Sequence, residues 1–173
     1  MQHLEKEIKV KISDENKLVA IIEKLKLEFV NEYEQIDSYF DFPTNDLFLK
    51  DEVLRIREEN GKYYLVYKGK REETEGKIRR EIAVEISDPL AMEKILSKLN
   101  LRKTLVIKKK RKEFAKDQIK LYLDNVDNLG TFVEIEADEK LDINALIKML
   151  NEIGMSKDSI IKETYSELML LKT

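Results

Sequence analysis

Four short segments of this chain carry charges on every second residue: Glu5, Glu7, Lys9 and Lys11; Arg55 and Arg57; Lys109 and Arg111; Glu134 and Glu136. A period of two is the strand period, so each set projects from one face of a β-strand while apolar residues take the other. The apolar partners are Ile8, Val10 and Ile12 in the first segment, Leu54 and Ile56 in the second, and Val133 and Ile135 in the fourth. An ordinary half-buried sheet also alternates apolar and polar residues, so one such strand says little. Cationic and anionic strands together in one small domain suit a cavity that holds a polyanion and its metal counter-ions.

An internal repeat organises these strands. Glu7 to Asp14 reads EIKVKISD, and Glu81 to Asp88 reads EIAVEISD. Each copy is an alternating strand that ends in a helix start, with Ser13 as N-cap in the first and Asp88 followed by Pro89 in the second. Apolar residues at helical spacing follow: Leu18, Ile21, Ile22 and Leu25, then Leu90, Ile95, Leu96 and Leu99. Further strands are expected at Tyr33–Asp41, Leu54–Glu58 and Tyr63–Lys68, and at Leu105–Phe114, Gln118–Asp124 and Thr131–Glu136. Gly61 and Asn128-Leu129-Gly130 read as turns. A helix from Asp142 to Ile153 ends at Gly154, and a last helix spans Lys157–Leu171 through Ile160, Ile161, Tyr165 and Leu168. The fold class expected is α+β: a closed antiparallel β-barrel of about eight strands, with helices packed outside and a pseudo-two-fold repeat.

The 173 residues are read as a single domain, residues 1–173. Charged residues reach 39%, but 32 Lys+Arg against 35 Asp+Glu leave a net charge of −3, so no global basic field draws the chain to nucleic acid. The basic run Lys108–Lys112 lacks an aromatic RNA-binding signature beside it. With no cysteine, disulfides, thiolate metal sites and cysteine nucleophiles are excluded. The charged start MQHLEKEIKVK does not read as a signal peptide, and no apolar run approaches membrane-spanning length. A cytoplasmic location is the expectation. His3 is read as incidental, and Met149, Met155 and Met169 as core filler.

A barrel lined with Lys9, Lys11, Arg55, Arg57, Lys68, Lys109 and Arg111 on some walls and Glu5, Glu7, Glu134 and Glu136 on others must be wet or compensated. Arginine offers a planar fork to phosphate oxygens and lysine a point charge. Clustered carboxylates without Cys or His suit hard divalent cations. Solvated outer faces with surface ion pairs explain any one of these strands, but not all of them together. No Gly-rich Walker loop exists, so side chains must hold the phosphates.

These residues also form the pattern of a known family. Glu5-Lys6-Glu7-Ile8-Lys9 matches an ExExK signature, followed by Asp37-Ser38-Tyr39-Phe40-Asp41, Leu54-Arg55-Ile56-Arg57, Tyr67-Lys68-Gly69, Arg79 and Glu81. Lys109-Lys110-Arg111, Asp124 and the Gly130–Glu136 segment GTFVEIE complete the order, with Tyr165-Ser166-Glu167-Leu168 as a closing helix. The chain thus resembles the CYTH, or triphosphate tunnel metalloenzyme, superfamily, and most of all its class IV adenylyl cyclase branch. The resemblance implies that Lys9, Arg55, Arg57, Lys68, Lys109 and Arg111 hold a triphosphate, with Lys11 and Arg79 as second-line contacts. It implies Mg²⁺ or Mn²⁺ on Glu5, Glu7, Glu134 and Glu136, with Asp124, and support from Glu81 and Glu85. Lys9, Glu7, Lys68 and Arg111 are the candidates for catalysis, and a metal-bound oxygen or a lumen lysine of depressed pKa is the candidate base. Relatives often carry an acid where Ala83 stands.

The activity implied is metal-dependent conversion of ATP to cyclic AMP and pyrophosphate. The alternatives are hydrolysis of inorganic or thiamine triphosphate in the same tunnel, or non-catalytic binding of polyphosphate. Members of the cyclase branch are often dimers, so a homodimer is left open, with a final helix that either pairs or covers the barrel.

Overall fold

The computed structural model describes residues 2–12, 15–72, 77–137, 143–152 and 155–172. Eight strands alternate inward and outward: β1 Gln2–Lys11, β2 Glu28–Asp41, β3 Val53–Glu59, β4 Lys62–Lys68, β5 Lys77–Ile86, β6 Arg102–Lys116, β7 Ile119–Val126 and β8 Gly130–Ala137. They close into one antiparallel barrel in the order β1-β5-β4-β3-β2-β6-β7-β8, with β8 pairing back onto β1. Closure removes the unpaired edges that an open sheet would expose.

The repeat read from the sequence is a symmetry of this barrel. The spacing that separates Glu7 from Glu81 also separates Glu5 from Arg79, which face each other across β1 and β5. It separates Gln35 from Lys109 as well, and they face each other across β2 and β6. A pseudo-two-fold axis therefore crosses the lumen from the first pair to the second, exchanging the two halves of the chain.

Outward residues of the strands bury the helices. Ile8 and Val10 of β1, with Ile12 just after it, join Leu121, Val133 and Ile135 under Ile21 of α1 (Glu15–Leu25) and Leu146 and Leu150 of α4 (Ile143–Glu152). A second cluster sets Leu96 of α3 (Pro89–Lys98) on Phe40 and Ile56. Each such side chain contributes roughly 1.5–3 kcal/mol on burial. The expected cap of α3 is present: Asp88 accepts from Ala91 N at 2.9 Å, with Pro89 at the first helical position. Asn60 and Gly61 turn β3 into β4 with φ of 52° and 72°, the left-handed pair that suits a two-residue hairpin. The expected cap at Ser13 and the helix end at Ile153 and Gly154 lie outside the described residues, as does the side chain of Met149.

Two elements differ from the sequence reading. The short helix α2 (Asp46–Leu49) was not foreseen; Asp41 builds it by accepting from Phe42, Leu47 and Phe48 N–H at 2.7, 3.0 and 3.0 Å. The single last helix expected over Lys157–Leu171 is instead a 3-10 turn at Lys157–Ser159, an extended stretch, and α5 (Tyr165–Leu170). Backbone pairing with β1 wins over helix propensity there: Ile160 bridges Val10, and Ile161 N donates to Lys9 O at 2.8 Å. Helix then restarts at a capping box, in which Thr164 accepts from Glu167 N and Glu167 accepts from Thr164 N. α5 thereby covers one end of the barrel, over Tyr39, Ile107, Val126, Leu129 and Phe132. Among the described residues no helix is long and apolar enough to cross a membrane.

Candidate active site

Opposed residues of an antiparallel pair share a face, so the register carries charge inward. Lys9 faces Glu134 and Glu7 faces Glu136 across β1 and β8, while Arg79 and Lys77 of β5 face Glu5 and Glu7. Arg55, Arg57, Lys68, Lys109 and Arg111 complete the lining of one cavity of about 60 Å³ that includes Tyr165. Strand alternation thus brings together nearly every site residue expected from the sequence.

The cations fall into two kinds. The guanidinium of Arg57 forks onto Asp37 at 2.7 and 2.8 Å, and that of Arg111 forks onto Asp124 at 2.6 Å in both arms. Arg111 also reaches Glu134 at 2.6 Å, and Lys109 reaches Asp124 at 2.8 Å. Burial alone would raise the carboxyl of Asp37, but Arg55 and Arg57 outweigh it and hold it well below the carboxylate range. Asp124, with no exposure, is held low in the same way by Lys109 and Arg111 against its burial. Arg55 touches Asp37 only at 3.3 Å, and among the described residues its buried Nε has no partner. Such a donor is costly to leave unpaired and suits an incoming phosphate oxygen. Three lysines are held by glutamates instead. Lys68 donates to Glu5 at 2.5 and 2.6 Å, Lys77 to Glu7 at 2.8 Å, and Lys9 contacts Glu134 at 3.2 Å. Burial, then the charge of Lys77, lowers Lys9 to about 7, well below an ordinary lysine.

Glu5, Glu7 and Glu136 bring one carboxylate oxygen each within 4.8 Å of one another. Burial and the charge of Glu5 push Glu136 up to about 8, and among the described residues it makes no ion pair. An all-carboxylate set with one uncompensated member fits a hard divalent cation.

Other expected residues stand elsewhere. Asp124 is no member of that trio: Lys109, Arg111 and the Tyr165 hydroxyl, at 3.0 Å, surround it, so it anchors cations. Glu134 lines the cavity but faces Arg111 and Lys9. Lys11 is exposed at the end of β1, with Nζ 5.6 Å from the Phe132 ring, and does not line the cavity because Phe132 and Tyr165 fill that end. Glu85 is exposed and pairs with Lys62 at 3.3 Å, outside the cavity. Ala83 faces Val66 across β4 and β5, so that position offers no acid.

Sequence reasoning missed four contributors. Lys77 was legible, since it extends the alternation of Arg79 and Glu81 backwards by one step. Asp37 lay inside a quoted motif without a role. Tyr165, whose ring centroid lies 3.7 Å from Lys9 Nζ and 5.0 Å from Lys109 Nζ, had no local signal. Neither had Arg71, which clamps Asp51 before β3 to Glu167 of α5 at 2.8 and 2.7 Å. Beside the covered end opens an apolar chamber of about 200 Å³, lined by Phe40, Leu47, Phe48, Leu54 and Leu105 and sharing Tyr39, Val53 and Ser166 with the charged cavity.

The chain resembles known proteins along almost its whole length. It is 39% identical over 172 residues to the Methanocaldococcus jannaschii protein named Putative adenylate cyclase MJ0240, covering 95% of this chain and 98% of that one. The solved PH1819 protein of Pyrococcus horikoshii superposes with a TM-score of 0.84 at 30% identity, over 98% of this chain and 99% of that one. A conserved hypothetical protein of Pyrococcus furiosus superposes with a TM-score of 0.78 at 29% identity, over 95% and 99%. The family described as CYTH domain matches residues 3–165, and the chain belongs to it.

Proposed function

We propose that this protein is a metal-dependent enzyme acting on a triphosphate in its barrel, and that its reaction is the cyclisation of ATP to cyclic AMP and pyrophosphate. One observation carries the reading: a wall of forked guanidinium groups faces a trio of carboxylates across a single cavity. Arg57 and Arg111 are held in place by Asp37 and Asp124 before any ligand arrives, which is the preorganisation that stabilises developing phosphate charge. The unpartnered Nε of Arg55 donates to a phosphate oxygen. Lys9, lowered to about 7, accepts the proton of the attacking hydroxyl. In the cyclisation the ribose 3′-oxygen bonds to the α-phosphorus while the bond from that phosphorus to the bridging oxygen breaks. Mg²⁺ or Mn²⁺ on Glu5, Glu7 and Glu136 would supply charge neutralisation on the phosphates. The apolar chamber beside the cavity supports a substrate with an organic end. The name of the 39% identical relative agrees with the cyclase reading.

A second reading, hydrolysis of inorganic triphosphate, is favoured by the charged cavity itself, whose lining is mostly Lys, Arg and Glu side chains. Incubation of the pure protein with Mn²⁺ and either ATP or triphosphate, with chromatography of the products, separates the two. Cyclic AMP with pyrophosphate supports the cyclase; orthophosphate supports the hydrolase. Intact substrates would end both.

A further inference from the structure

The arginines and lysines of the cavity differ in what holds them. Arg57 and Arg111 are each locked by a two-point fork on a buried aspartate outside the carboxylate trio. Lys68 and Lys77 are held by the trio itself: Lys68 by Glu5, with Glu81 at 3.0 Å, and Lys77 by Glu7. Both lysines reach in from the strands next to β1 on one side, β4 and β5, and their side chains are only 12% and 5% exposed. Neither can turn to solvent, and each has a flexible stem that a guanidinium fork lacks.

We propose that Lys68 and Lys77 are exchangeable counter-ions of the cation site. Without a divalent cation they neutralise Glu5 and Glu7, which otherwise repel each other and Glu136. When a divalent cation takes those carboxylates, both ammonium groups are displaced and swing onto the phosphate chain in the same cavity. Cation and phosphate then favour each other through the protein, and the coupling is reciprocal. A phosphate chain arriving alone finds these two cations already engaged. This inference rests on reading the trio as the cation site.

The test is calorimetric titration of Mn²⁺ alone into the full chain at neutral pH. Lys77→Met keeps the apolar stem and removes the competing charge, so Mn²⁺ should bind at least about tenfold more tightly than to the wild type. Unchanged or weaker binding in the variant, with the wild type binding Mn²⁺, overturns the exchange and leaves the trio as a cation site. A wild type that binds no Mn²⁺ removes both. Should Lys77→Met not fold, lysine-ammonium NMR of the wild type decides: saturating Mg²⁺ should shift the Lys68 and Lys77 signals, and unmoved signals overturn the proposal.

Discussion

The ammonium of Lys9 lies 3.7 Å from the ring centroid of Tyr165, although one residue belongs to the first strand and the other to the last helix. Lys9 Nζ also donates to the Glu163 carbonyl at 3.3 Å, so the segment before α5 and the candidate base are fastened together. A cation over an aromatic face away from bulk water is worth up to about 2 kcal/mol. The helix that covers the barrel end is therefore part of the charged cavity's wall.

Lys9→Met should lose turnover by about 10²- to 10⁴-fold, the range for a removed acid–base group, with product formation as the readout. Loss of the ammonium over Tyr165 and of its bond to the Glu163 carbonyl should also lower the melting temperature. Unaltered turnover would remove Lys9 from the role of base.

Asp124→Asn should be the most destabilising single change in the cavity. It leaves Lys109 and Arg111 buried without their shared anion, a loss of about 3–5 kcal/mol by denaturant unfolding. A cost below 1 kcal/mol, on the scale of an exposed pair, would show that Asp124 is not the anchor described here.

Arg71→Met should release α5 from Asp51, and Arg71 itself lies outside the cavity lining. The variant should become sensitive to limited proteolysis between Ile160 and Leu171, because Arg71 joins Asp51, Glu167 and the Lys162 carbonyl at 2.8 Å. Wild-type resistance in the variant would show that the capping box and the pairing to β1 suffice.

Glu136 gives the metal-free protein an inverted pH dependence. Its folded value near 8 lies above the ordinary 4.5, so between these limits the folded state keeps a proton that the unfolded state releases. Stability contributed by Glu136 is thus full below about 4.5 and falls as pH rises to about 8. Lys9, at about 7 against 10.5, acts oppositely and adds stability as pH rises between those values. Thermal melts should therefore decline from about pH 4.5 to 7, and Glu136→Gln should flatten the decline. A decline of equal slope in the variant would assign it to another group.

Much of this was legible because a strand's period transmits directly into space. Once Glu5, Glu7 and Lys9 alternate with Ile8 and Val10, and closure follows from the repeat, inward and outward faces are settled residue by residue. The same rule misplaced Lys11, and the resemblance Glu85, since neither says where along the axis the cavity ends. The resemblance set Asp124 with the metal ligands, because a motif cannot show that two cations from the next strand already claim its carboxylate.

By itself the sequence determined the strands, their two-faced character, the repeat that closes the barrel and the inventory of charges inside it, because each of these depends on neighbours within a few residues. Tertiary structure alone decided which carboxylates gather as a trio, which aspartates lock the arginines, and how the chain after Ser159 leaves helix to pair with β1 and bring Tyr165 over Lys9. Those outcomes turn on which buried charges end closest in space, and Coulomb energies between them depend on distances that no local pattern encodes.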